Sequence, residues 1–168
     1  TVVVGGTFVV PVRTLNVLVA AVAVDGFASV SVTGGRNLVD GNNTVSVRVT
    51  AESGAVAVYS FTVYVTPLST VKSLATFTVN GGAVVNGSSV TVAANTSSVS
   101  VVAVATDAAA TVAVSGNTSL VSGNNTVVVV VTAEDGSTAS YSVNVYVTPL
   151  STNNSLATLT VNGVTTSN

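Results

Sequence analysis

The sequence predicts an all-β fold made of antiparallel β-sandwiches in tandem. Three observations carry that expectation. Apolar and polar residues alternate with a period of two, turn-forming pairs separate the alternating runs, and one stretch of sequence recurs in register further along the chain. No segment shows the three-to-four spacing of an amphipathic helix.

The chain opens on strand-like sequence, Thr1-Val2-Val3-Val4, with no signal peptide visible, as expected of a mature or excerpted chain. Residues 17–24 form an apolar run rich in β-branched side chains, the composition of a buried strand, and residues 127–131 form another. Val45, Val47 and Val49 alternate with Ser46, Arg48 and Thr50. Tyr59, Phe61, Val63 and Val65 alternate with Ser60, Thr62 and Tyr64, and the pattern returns as Tyr141, Val143, Val145 and Val147 against Ser142, Asn144 and Tyr146. Such alternation describes strands with one face on a core and the other in solvent. Turn signals separate them at Asp40-Gly41-Asn42-Asn43, Asn80-Gly81-Gly82, Asn86-Gly87 and Asp135-Gly136, the last a hairpin signal.

The recurrence sets the domain organisation. Residues 39–70 and 121–152 match at 23 of 32 positions at an offset of 82 residues, and the same offset carries Ser73-Leu74-Ala75-Thr76 onto Ser155-Leu156-Ala157-Thr158. A full unit therefore runs from SLATxTVNG to YVTPLST. The expected division is residues 1–66 as a first repeat lacking its opening strand, 67–72 as a linker, 73–148 as a complete second repeat, 149–154 as a second linker, and 155–168 as a further opening strand. That last strand either begins another repeat of a longer array or is donated to the open sheet of a neighbour. Both linkers contain a proline, Pro67 or Pro149, and so are expected to be stiff.

The order SLATxTVNG, a Val-rich strand pair, then GNNTVxVxVTAEDGSxxxYxVxV resembles the bacterial cadherin-like β-sandwich repeats of large extracellular surface proteins. The resemblance covers nearly the whole chain. It implies an immunoglobulin-like sandwich used in adhesive or structural arrays outside the cell. It departs from animal cadherins in having no acidic interdomain calcium motif, and residues 66–70 carry no carboxylate.

Composition narrows the function. Charged residues make up 6% of the chain and hydrophobic ones 48%, with a net charge of −2, which excludes disorder driven by charge and low hydrophobicity. The mean hydropathy is +0.72, yet no apolar run approaches the roughly 20 residues of a membrane-spanning helix, and eight aromatics do not supply the girdles of a membrane barrel. Membrane insertion is therefore not expected. With no His and no Cys, serine–histidine and cysteine–histidine catalysis have no base or thiol, and no disulfide forms. Lys72, the single lysine, reads as an exposed charge beside the linker. Four basic residues give nucleic acid no electrostatic footprint, and no phosphate-binding glycine motif is present. An enzyme, a catalytic residue and a cofactor are accordingly not expected.

Calcium is the one ligand with candidates: Asp25, Glu52, Asp107 and Glu134, helped by the carbonyls of Asn42, Asn43, Asn124 and Asn125. The plainer expectation for Asp25 and Asp107 is turn capping. Parity sets Tyr64 and Tyr146 opposite Tyr59 and Tyr141, so the first pair is expected on the surface, facing a sugar or a neighbour, and the second in the core. Interface candidates are Tyr64, Tyr146, Pro67, Pro149, Leu156, Leu159 and Val161. Sequons at Asn42, Asn86, Asn95, Asn117, Asn124 and Asn153 fall mostly at predicted turns, where a glycan is tolerated. The expected function is a structural repeat module of an extracellular or cell-surface filament, stalk, fibre or lattice, with itself as head-to-tail partner and low charge letting copies approach. The alternative is a glycan- or receptor-binding adhesion module of a surface or virion appendage.

Overall fold

A computed structural model describes residues 4–166 of the chain. The described residues contain strands, turns and irregular segments and no helix, arranged in several sheets consistent with a β-sandwich. They fall into two compact units, Thr1–Thr70 and Val71–Asn168.

The first unit holds β1 (Thr7–Val10), β2 (Ser29–Thr33), β3 (Gly41–Thr50) and β4 (Val56–Val65) in one sheet ordered β1-β4-β3-β2. The second unit repeats this sheet with β7 (Ser88–Val92), β9 (Thr111–Ser115), β10 (Gly123–Thr132) and β11 (Thr138–Val147), ordered β7-β11-β10-β9. It adds a three-stranded sheet of β6 (Gly82–Ala83), β5 (Leu74–Val79) and β8 (Val101–Ala105), with β5 in the middle. A separate hairpin, β12 (Leu159–Val161) and β13 (Val164–Thr166), turns on Asn162 and Gly163, both at positive φ as the tight turn requires.

The central hairpins of the two units share one register. Gly41 faces Val65 and Thr50 faces Val56, while 82 residues on Gly123 faces Val147 and Thr132 faces Thr138. The period-two alternation predicts which side chains go inside. Val143, Val145 and Val147 are fully buried from β11 as it predicts, while in β10 the unbroken valine run 127–131 has no alternation and buries Val127, Val129 and Val131. Burying each valine contributes roughly 1.5–2 kcal/mol by removing apolar surface from water. The Asp135-Gly136 signal also forms its hairpin: the Asp135 carboxylate accepts the Ser137 N–H at 2.8 Å and Gly136 takes a φ of +86°.

The strands are not all antiparallel, as the sequence led us to expect. β1 runs parallel to β4 and β7 parallel to β11. Alternation records which face is buried but not strand direction, and each parallel pair joins strands separated by two or three intervening strands, long enough for the crossover such pairing needs.

Residues 17–24 also depart from expectation. They carry the composition of a buried strand yet form none, and Leu18 is 98% exposed. Their counterpart in the second unit is β8, whose only sheet partner is β5. The counterpart of β5 would fall before residue 1 in the 82-residue alignment, so residues 17–24 have no ladder to join among the described residues. An extended segment without a neighbour is not held by its own propensity. The consequence is visible in the cores. Among the described residues the fully buried large side chains are all valines: Val45, Val63 and Val65 in the first unit, and twice as many in the second.

Candidate functional site

The candidate site is the place where the first unit's core is left open. In the second unit, Phe77 and Val79 of β5 lie 8% and 3% exposed against Val127, Val129, Val143 and Val145. The first unit has the matching floor, Val45, Val47, Phe61 and Val63, but no strand above it. The opening has a volume of about 800 Å³ and is lined by the 17–25 segment together with Phe8, Val49 and Tyr59 among others. Its lining is apolar except for Asp25 at the rim and Ser60.

The walls retain strand character. Val17, Val19, Ala21 and Ala23 are half-buried and alternate with exposed Leu18, Ala20, Val22 and Val24, the pattern β8 shows in the second unit. Tyr59 was expected in the core but is 46% exposed. Its counterpart Tyr141 shows why: there the ring sits edge-on to Phe77 at 6.5 Å between centroids, and its hydroxyl donates to the Lys72 carbonyl at 2.9 Å. Both contacts come from residues 72–77, which have no counterpart among the described residues of the first unit. The second unit thus supplies Tyr141 with a backbone acceptor, while Tyr59 lines the groove.

The other candidates scatter. Tyr64 is half-buried on β4 beside Asn42, and Tyr146 is exposed on β11 beside Asn124. Pro67 and Pro149 are exposed in irregular segments, and Leu156 precedes β12, also exposed. Leu159 and Val161 share one face of β12, at 52% and 57% exposure.

The acids serve turns. Asp25 accepts the Phe27 N–H at 3.0 Å and Asp107 accepts that of Ala109 at 2.9 Å. Glu52 is exposed and Glu134 half-buried, and among the described residues no three acidic, His or Cys side chains gather as a metal site. Asp135 is held below the ordinary aspartate pKa, first by the Ser137 side chain, then by the Ser137 backbone, with Lys72 adding a favourable charge. Asn43 and Asn125, considered as calcium ligands, are committed to the backbone instead. Asn125 Oδ1 accepts the Val121 N–H at 2.9 Å, while Nδ2 donates to the carbonyls of Val121, Gly123 and Val145 at 2.7, 3.0 and 3.3 Å. Asn43 makes the same four contacts with Val39, Gly41 and Val63.

Two features went unread in the sequence. The first is the Asn fork, since GNNT looks like any polar turn. The second is the strained close approach at Gly34 and Gly116, at φ +83° and +77°, where a Cβ would run into the Thr44 or Thr126 carbonyl oxygen. The 82-residue alignment of the two glycines was the available signal for it. No protein-family model and no curated protein matches the chain.

Proposed function

We propose that this chain is a structural repeat module of an extracellular or surface assembly, built head to tail from copies of itself. The observation that carries the reading is the use of one strand set twice at a single 82-residue offset, in the same register and with the same Asn fork at each corner. Repetition of a small immunoglobulin-like sandwich, each with its own core, is how extended, quasi-one-dimensional proteins are built. The prolines at 67 and 149 stiffen the segments between units. A charged fraction of 6% leaves little repulsion to keep copies apart, unlike a surface that stays monomeric by charge. The chemistry is mechanical: the module carries load and spacing, with no reaction, cofactor or metal assigned to it.

Sedimentation and electron microscopy of the purified chain over a hundredfold concentration range test this. Elongated assemblies that grow with concentration support it. Isolated particles at the highest concentration count against it. The second reading, a glycan- or receptor-binding module, rests on exposed Tyr146, next to Asn124 and Asn144, which bond to each other at 3.2 Å. Tyr146→Ala abolishes glycan-array binding if that reading is right and leaves assembly as it was.

A further inference from the structure

We infer that Lys72, Ser137 and Tyr141 form a mechanical latch, through which tension entering the second unit is passed directly to β11, the strand by which it leaves. The inference rests on the reading of the module as a carrier of load and names the contact that takes the load first.

The path of tension follows from the topology. The chain enters the second unit at Val71, and β11 is the last strand of its two larger sheets, followed by an irregular segment. Lys72 stands beside the start of β11, bonded to Ser137 just before that strand and to Tyr141 within it. Thr148 stands at the far end, where its N–H and its hydroxyl both donate to the Val92 carbonyl at 3.0 Å. Tension between these two points therefore runs along the ten residues of β11, a length of about 30 Å.

Both terminal strands resist such a pull. β11 is an interior strand, paired along its length with antiparallel β10 and, from Val143 to Val147, with parallel β7. Its ladder hydrogen bonds lie across the pull, so they resist together in shear instead of opening one after another. β5, the first strand after Lys72, is interior too, between β6 and β8. Yet β5 and β11 belong to different sheets, and the apolar core packed between those sheets is non-directional. Core packing alone would let one sheet slide over the other.

The latch ties them. The Tyr141 hydroxyl donates to the Lys72 carbonyl at 2.9 Å, and Lys72 Nζ donates to Ser137 Oγ at 3.0 Å. The next residue grips the other sheet. The Ser73 carbonyl accepts the Thr106 N–H at 2.9 Å, and its hydroxyl donates to Thr106 Oγ1 at 3.0 Å, just past the end of β8. Adjacent residues thus hold both sheets at the point of entry. The post that receives Lys72 is itself fixed, because the Asp135 carboxylate accepts the Ser137 N–H at 2.8 Å and the Ser137 carbonyl accepts the Ala133 N–H at 2.8 Å. The Tyr141 ring is braced edge-on by Phe77 of β5. Lys72, the chain's single lysine, is half-buried in this arrangement, where the sequence suggested an exposed charge.

The chain has no cysteine, so Thr70→Cys/Thr152→Cys places handles on exposed residues at either side of the second unit within the full-length chain. Optical tweezers then hold that unit at a fixed force and record its folded lifetime. In this background Tyr141→Phe is expected to shorten the lifetime about fivefold and Lys72→Met about threefold, the effect of losing one hydrogen bond that breaks before the barrier. Val112→Ala is the control, since it removes core packing from the edge strand β9, which lies off the path. It is expected to cost at least as much as Tyr141→Phe in denaturant, yet to change the lifetime under force less than twofold. Lifetimes that fall in proportion to equilibrium stability in all three variants overturn the inference, since Lys72 and Tyr141 are then ordinary stabilising contacts. Lifetimes that the two latch variants leave unchanged overturn it as well. Either failure leaves the head-to-tail reading standing, because that reading is decided by assembly in bulk and this measurement involves one chain.

Discussion

Replacing Asn125 by alanine removes one side chain that satisfies four backbone groups at once. Its amide can sit only one way, because the atom facing the Val121 N–H must accept and the atom facing three carbonyls must donate. Two of the four contacts are exposed, where water replaces much of what is lost, at roughly 0.5 kcal/mol each. The contacts to Gly123 and Val145 are partly buried, at about 1 kcal/mol each. The total is about 2–3 kcal/mol, and in a unit of this size each kcal/mol moves the melting temperature by roughly 5 °C. Thermal and denaturant unfolding of Asn125→Ala are therefore expected to lower the second unit's transition by about 10–15 °C. Asn43→Ala should do the same to the first unit. Asn125→Asp keeps the acceptor but sets a carboxylate against three carbonyl oxygens, so it should be worse than alanine at neutral pH. That penalty raises the folded-state pKa of the new carboxyl, and it disappears as the pH falls below the ordinary value of about 3.9. A loss under about 0.5 kcal/mol for Asn125→Ala would refute the fork as a stabilising corner.

Gly116→Ala is expected to cost at least about 2 kcal/mol by chemical unfolding, because it combines positive φ with overlap on the Thr126 carbonyl. Gly87→Ala, at φ +81° in open space, should cost only about 1 kcal/mol, and equal losses would refute the steric account. Tyr141→Phe should destabilise the second unit by about 1 kcal/mol through loss of the Lys72 contact, whereas Tyr59→Phe should leave the unassembled chain unchanged. Because the folded-state pKa of Asp135 is depressed, its ionised form supports the second unit fully above the ordinary carboxylate value. That support fades as the pH drops through the folded value. An NMR titration of Ser137→Ala should raise the Asp135 pKa toward the ordinary one, and no movement would contradict the assigned cause.

Much of the fold was legible because valine alternation is a direct record of burial. Val45, Val63, Val65, Val143, Val145 and Val147 were all placed inside by parity, and all are fully buried. Parity failed where burial depends on a partner that the same segment does not encode. Residues 17–24 and Tyr59 have the sequence of core elements, yet they stay open because no strand among the described residues covers them as β5 covers their counterparts. Strand direction was hidden for a related reason, since the β1–β4 and β7–β11 pairings join distant segments. Of the candidate residues, Leu156, Leu159 and Val161 could be named from the repeat phase, and all three are exposed. The groove could not, because its lining is spread over four stretches of chain that become neighbours only when folded.

The most direct measurement is a cryo-electron microscopy map of the assembled protein at side-chain resolution, read along the axis of the assembly. The account predicts copies that follow one another head to tail at a regular spacing, each unit keeping its own central hairpin register. Isolated particles, or copies joined with no regular spacing, would contradict it.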